Sequence, residues 1–116
     1  MKPQIKRIDT NSSDSLEDLF LNRQKEFGFW ITVSIGEDQV EGADDFQFFV
    51  CSRAWLEGVG SGMQIPDRYL LLDDDCDPAG LKSSLNEFLA NCAGATWADV
   101  VKNICRVGWW EFDGYK

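Results

Sequence analysis

The sequence predicts a single α+β domain, 1–116, with an antiparallel-rich sheet of about four strands covered by two C-terminal helices. Every second residue of 27–35 is apolar, which gives one fully apolar face and is the pattern of a half-buried strand. Residues 46–51 form a second apolar segment, close enough to pair with the first as an antiparallel hairpin. Asp77 and Thr96 each stand before an amphipathic stretch, as helix N-caps do.

Shorter elements are expected around this core. Residues 4–8 are a candidate for a further strand. The continuous apolar run 69–72 predicts a buried central strand, because strands buried on both faces lack polar alternation. Ser15 and Ser52 precede small apolar clusters and predict two short helical turns.

The ends of the C-terminal elements are also predicted. The two amphipathic helices are expected to end at Gly94 and Gly108, because glycine tolerates the left-handed conformation that often follows a helix. The aromatic segment 108–115 is expected to dock as a strand and to bury alternate rings, such as Trp110 and Phe112.

The cysteines are expected to be reduced and structural. Most lie in apolar patterns and fit the role of small buried hydrophobic residues. Without a C-x-x-C pair or a histidine, a zinc site would need all four thiolates from separate elements. We therefore expect no disulfide, no metal and no other cofactor. The residues concerned are Cys51, Cys76, Cys92 and Cys105.

Charge is the most unusual property of the composition. The chain has 20 Asp and Glu, 11 Lys and Arg and no His, for a formal net charge of −9 at pH 7. A negative field repels nucleic acid and anionic membranes and attracts basic partners, although it also serves solubility. Because His most readily moves protons near neutral pH, its absence argues against an enzyme.

Neither targeting nor catalytic motifs are visible in the sequence. No apolar run reaches the roughly 18–20 residues that span a bilayer, and no apolar stretch of a signal peptide follows the basic N-terminus. Glycine-rich phosphate loops and nucleophile elbows are also missing. We therefore expect a cytoplasmic protein that works by binding.

Five acids and no base occupy the predicted hairpin loop and its exit. Three interpretations are open: a solvated loop tip, a contact surface for a basic partner, and a cation site that lacks the ligand order of an EF-hand. The acids are Glu37, Asp38, Glu41, Asp44 and Asp45.

A second acidic run follows the apolar segment 69–72. Asp73 and Asp74 in this run have no role as helix caps, so a solvated loop, a contact surface and a general acid–base pair are all open. Near the C-terminus, Glu111 and Asp113 alternate with aromatic residues of the kind that anchor interfaces. Together with the hairpin acids, these four residues are the candidate partner-binding positions.

Four segments of the chain share a family pattern. They read Phe46-x-Phe48-x-Val50-Cys51-Ser52-x-x-Trp55-Leu56, Tyr69-Leu70-Leu71, Gly94-x-Thr96-Trp97-x-Asp99 and Arg106-x-Gly108-x-Trp110-Glu111-Phe112-x-x-Tyr115. With them, the chain from about Phe27 onward resembles the immunity protein 8 family. Members of that family are encoded beside polymorphic toxins, including those of contact-dependent growth inhibition systems.

The resemblance implies a non-catalytic cytoplasmic antidote. Such a protein binds the toxic C-terminal domain of a delivered effector and blocks its active site or its access to substrate. These toxins are often nucleases, whose substrate grooves are basic because they hold phosphates, and the acids named above would meet such a groove. The alternative is an acidic adaptor or regulatory module unrelated to toxins. The toxin's identity and the oligomeric state do not follow from the sequence.

Overall fold

The structure, a computed structural model, describes residues 1–21, 26–58 and 65–112. It confirms the α+β class, with a five-stranded sheet and several helices in this part of the chain. In chain order the elements are β1 (Pro3–Thr10), α1 (Leu16–Leu21), β2 (Gly28–Glu37), β3 (Asp44–Ser52), α2 (Arg53–Gly58), β4 (Leu70–Leu72), α3 (Pro78–Ala90), α4 (Trp97–Ile104) and β5 (Trp109–Trp110).

The sheet is built on β3. On one side β3 pairs with β2, and β2 pairs with β1, both antiparallel. On its other side the C-terminal half of β3 pairs in parallel with β4, and its N-terminal half pairs antiparallel with β5. The prediction of a central strand at 69–72 is therefore wrong in position, because β4 lies at an edge with Leu71 40% exposed. A short apolar run does not distinguish a central strand from an edge strand packed on a core.

The two faces of β2 and β3 differ as the alternation predicts. The inner face carries the core side chains Ile31, Val33, Ile35, Phe46, Phe48 and Val50, each 0% exposed. These residues form one cluster with buried side chains of α1, α3 and α4. Phe88 of α3, for example, meets the Phe48 ring edge-on at 6.3 Å between centroids. Thr32 and Gln47, neighbours in the register, lie on the outer face.

Both predicted helix starts are confirmed by their caps. Asp77 accepts a hydrogen bond from the Gly80 backbone N–H at 2.7 Å, with Pro78 at the first helical position. Thr96 and Asp99 form the expected capping box, each side chain accepting from the other's backbone N–H. These caps fix where α3 and α4 leave the preceding loops.

The predicted helix ends are wrong by about one turn. Helix α3 ends at Ala90 rather than at Gly94, because the N–H groups of Asn91 and Cys92 turn back to carbonyls only three residues earlier. Helix α4 ends at Ile104, and Gly108 lies beyond it in a turn that leads into β5. A glycine downstream of a helix therefore marked the following loop and not the last helical turn.

None of the four cysteines, all of which lie in the described residues, forms a disulfide. Cys51, Cys76 and Cys92 are buried, whereas Cys105 is only half-buried at the end of α4. Burial raises the pKa of the Cys51 thiol. Burial also raises the pKa of Cys92, although Arg106 opposes that shift.

Within the described ranges, no helix is long and apolar enough to cross a membrane.

Candidate protein-binding site

The acidic loop between β2 and β3 projects from one end of the sheet. Asp38 and Glu41 are exposed and Glu37 is half-exposed. The loop is fixed at its base, because Lys6 Nζ donates to the Val40 carbonyl at 2.9 Å. The Asp38 backbone N–H also donates to the Lys2 carbonyl at 2.8 Å. These two hydrogen bonds with Lys2 and Lys6 therefore hold the loop that carries the acids in place.

The side chain of Asp44, at the first position of β3, makes hydrogen bonds within the fold. Its Oδ2 accepts hydrogen bonds from the indole N–H of Trp97 at 2.9 Å and from that of Trp110 at 3.0 Å. Hydrogen bonds to a carboxylate are stronger than neutral ones, so this atom links β3 to α4 and β5. The sequence placed Asp44 with the surface acids because its two partners lie more than fifty residues away in the chain.

Asp45 and Glu111 come together on the outer face. Ser34 donates its hydroxyl to Asp45 Oδ1 at 2.6 Å across the β2–β3 pair. The Glu111 backbone N–H donates to the Asp45 carbonyl at 2.9 Å, so Glu111 extends the pairing of β5 with β3. We use the name hairpin end for the exposed or half-exposed acids at this end of the sheet: Glu37, Asp38, Glu41, Asp45 and Glu111. Asp113 lies outside the described residues.

Asp73 and Asp74 lie at the opposite end of the sheet. They follow β4, which runs parallel to β3 and pairs with its last residues. The eight steps from Asp44 to Ser52 along β3 correspond to roughly 26 Å. Asp74 Oδ1 accepts from the Ala54 backbone N–H at 2.9 Å and so supports the start of α2, whereas Asp73 is exposed. The candidate residues therefore form two separated patches.

A groove on the outer face of the sheet was not predicted. Its volume is about 580 Å³, and among the described residues it is lined by Trp30, Thr32, Asp45, Gln47, Trp109, Trp110 and Glu111. We call it the aromatic groove. The Trp30 ring lies 5.3 Å from the Trp109 ring, between centroids, and is 37% exposed. Its acidic residues belong to the hairpin end, so the two features are continuous.

One signal in the sequence could have revealed this groove. In β2 the outer-face positions include Gly28, Trp30, Thr32 and Ser34, and a tryptophan is unusual among such small residues. Its neighbours on the groove come from β3 and from β5. Because β5 is only two residues long, its pairing with β3 could not be derived from periodicity.

A family comparison accounts for nearly the whole chain. The family model described as immunity protein 8 (Imm8) matches residues 3–115. The chain belongs to the immunity protein 8 family. The match begins at β1, further toward the N-terminus than the resemblance recognised in the sequence. Searches of curated proteins and of solved structures gave no match.

Membership in the immunity protein 8 family indicates the class of this protein and the kind of partner it has. The protein is an immunity protein of a toxin system, and its partner is a cognate toxin. Across the described parts of the chain, no group of three Cys, Asp or Glu side chains is placed to hold a metal ion. The chemistry available at the hairpin end and in the aromatic groove is that of carboxylates and indole rings at a protein surface.

Proposed function

We propose that this protein binds and neutralises a basic toxin domain of the contact-dependent growth inhibition type, a nuclease, in the cytoplasm. The hairpin end contacts the toxin and blocks its active site or its access to substrate. One observation carries the proposal. Within the described ranges, none of the five acids of the hairpin end has a Lys or Arg nitrogen within 4.0 Å. Within this part of the chain, no cation competes with those of a partner for these carboxylates.

The chemistry of nucleases supports this choice of toxin. A nuclease holds phosphates, so its substrate groove is lined with Lys and Arg. An acidic surface is attracted to the same groove, and the long-range field speeds the encounter before contacts form. The net charge of −9 adds to this attraction. Asp73, at the other end of the sheet, joins this contact only if the toxin spans the whole molecule.

The proposal also holds that the protein acts without catalysis. Burial raises the pKa values of Cys51 and Cys92, which disfavours the thiolate form that a nucleophile needs. Asp74, the candidate partner of Asp73 in acid–base chemistry, holds the Ala54 N–H instead. Binding alone is sufficient for an antidote that occludes another protein's site.

Co-expression with the toxin domain encoded beside this protein tests the proposal. We expect rescue of growth and co-purification of the two proteins. Reversing two charges of the hairpin end, Glu37→Lys with Asp38→Lys, should slow association about tenfold or more at low ionic strength, with less effect at high salt. Glu87→Lys, on the exposed side of α3, is the control for a charge change elsewhere.

Two results would contradict the proposal. If growth is not rescued and the proteins do not co-purify, no antidote activity exists and the adaptor interpretation takes its place. If the proteins bind but the charge reversal leaves the association rate equal to that of the Glu87→Lys control, the hairpin end is not part of the contact.

A further inference from the structure

We propose that the aromatic groove is the anchoring subsite for the toxin and takes an extended segment that carries two cationic side chains. The first is an arginine that stacks on the indole of Trp30. The second lies beside the carboxylates of Asp45 and Glu111. This inference rests on the proposed function, because it assigns a subsite to the same toxin partner.

The position of Trp30 is the first argument. The residue is 37% exposed, although its ring also contacts Phe49 and Trp109, each at 5.3 Å between centroids. These contacts hold the indole in one orientation with part of its surface toward solvent. A fixed and partly exposed tryptophan is the residue type that most often dominates binding energy at protein interfaces.

An arginine of this chain already stacks on the Trp109 ring, which lies next to the ring of Trp30. The Arg68 guanidinium carbon lies 5.1 Å from the centroid of the Trp109 ring, within the range of a cation–π contact. Arg68 also donates from Nη1 to the Gly108 carbonyl at 3.0 Å, which keeps it in place. In the described part of the chain, no cation lies over the adjoining Trp30 ring, so that ring is available to a guanidinium from outside.

The aromatic groove has acidic residues at one end. Asp45 and Glu111 line one end, and the described lining residues include no Lys or Arg. In the register, Trp30 pairs with Phe49 and Ser34 pairs with Asp45. These two rows are four residues apart along the strands, or about 13 Å. A single guanidinium does not cover that distance, so the occupant carries two cations on an extended backbone.

The free edge of the sheet is a weaker candidate for the same role. A groove of about 830 Å³ runs along β1, where a partner strand would pair. However, the register of β1 shifts between Ile5 and Arg7, and Lys6 and Arg7 are exposed on the strand. Bulges and charges of this kind protect edges against strand addition. The described lining of this groove also carries as many bases (Lys6, Arg7 and Lys82) as acids (Asp9, Asp14 and Glu17). It therefore offers a basic toxin no net attraction, unlike the aromatic groove.

Two substitutions in the groove test the inference. The affinity of each variant is measured by titration with the toxin domain encoded beside this protein. Gln47→Lys places a cation on the exposed floor of the groove and should weaken binding at least about tenfold by repulsion. Trp30→Leu keeps an apolar side chain but removes the ring face, and should weaken binding about five- to thirtyfold. Asn86→Lys, an exposed amide on α3, is the matched control for Gln47→Lys.

The outcomes separate the inference from the proposed function. If the wild-type protein binds and Gln47→Lys binds as tightly as Asn86→Lys, the groove is overturned as the subsite while the antidote function stands. Equal binding by Trp30→Leu and the wild type overturns the stacked arginine. If the wild type does not bind the toxin domain, both proposals fail together. Urea unfolding of each variant shows whether a loss of binding reflects a loss of fold, and Gln47→Lys, at an exposed position, is expected to keep its stability.

Discussion

The carboxylate of Asp44 accepts a hydrogen bond from the indole N–H of Trp97, with 2.9 Å between Oδ2 and Nε1. The same oxygen accepts a second bond from Trp110, so one side chain at the start of β3 holds two aromatic residues from the C-terminal part of the chain. This contact separates Asp44 from the acids around it. Its carboxylate stabilises the fold, whereas those of the hairpin end are the ones for which we propose a role in binding.

Removing this carboxylate should destabilise the protein. Asp44→Ala leaves two half-buried indole N–H groups without their acceptor, and we expect a loss of about 2–3 kcal/mol in the free energy of unfolding. Asp44→Asn keeps one carbonyl oxygen and should lose about half as much. Urea unfolding followed by tryptophan fluorescence measures both. Asp38→Ala, at an exposed position in the adjacent loop, should change stability little, and a similar loss there would contradict the role assigned to Asp44.

Ser52 is a second polar residue on which the fold depends. It is 0% exposed, and its Oγ accepts from the backbone N–H groups of Phe27 and Trp55, both at 3.1 Å. Ser52→Ala leaves both donors unpaired and removes the cap of α2, so we expect a loss of about 1–3 kcal/mol. Ser52→Thr retains the hydroxyl and should be milder. Equal stability of the alanine variant and the wild type would contradict this role.

The close approach between the end of β2 and the β2–β3 loop requires a glycine at position 36. A Cβ added to Gly36 would overlap the backbone carbonyl oxygen of Gly42, which cannot move away without displacing the loop. Gly36→Ala should therefore cost about 1–3 kcal/mol and weaken toxin binding by changing the loop's shape. Gly58→Ala is the control, because the new Cβ meets Glu26, at 3.6 Å, and no other residue in the described part of the chain. Its stability should stay unchanged or rise by up to about 0.5 kcal/mol. Equal stability of the two variants would contradict the close approach.

The buried thiols predict a loss of stability in alkali. Because burial raises the pKa of Cys51, the unfolded chain releases the thiol proton at a lower pH than the folded chain does. Stability is therefore fully present below the unfolded pKa of about 8.5 and falls as pH rises toward the folded pKa, by at most about 1.4 kcal/mol per pH unit for one thiol. Denaturant unfolding between neutral and alkaline pH measures the slope. Cys51→Ala should flatten it, and an identical slope in both proteins would exclude the thiol as the cause.

Local patterns in the sequence were sufficient for much of the fold. The caps at Asp77 and Thr96 depend on residues within three positions, so the helix starts could be predicted. The hairpin of β2 and β3 followed from alternation between adjacent segments. Strand β4 could not be placed, because its partner is chosen by the core as a whole and not by residues 69–72.

The candidate site was harder to predict for the same reason. Charge identified the acids but could not distinguish Asp44 and Asp74, which accept backbone or indole N–H groups from distant elements, from Asp38 and Asp73, which are exposed. That distinction depends on contacts made only after folding. The aromatic groove depends on the register of three strands, and a single sequence does not contain that register in any local pattern.

The alternation along β3 has a consequence for how such a protein can diverge. Phe46, Phe48 and Val50 face the core, while Asp45 and Gln47, at alternate positions of the same strand, face the groove. Substitutions at the outward positions would change the surface that we propose a toxin contacts, at little cost in folding, whereas substitutions at the inward positions would disturb the core. One strand can therefore accept changes in specificity on one face while its other face keeps the architecture unchanged.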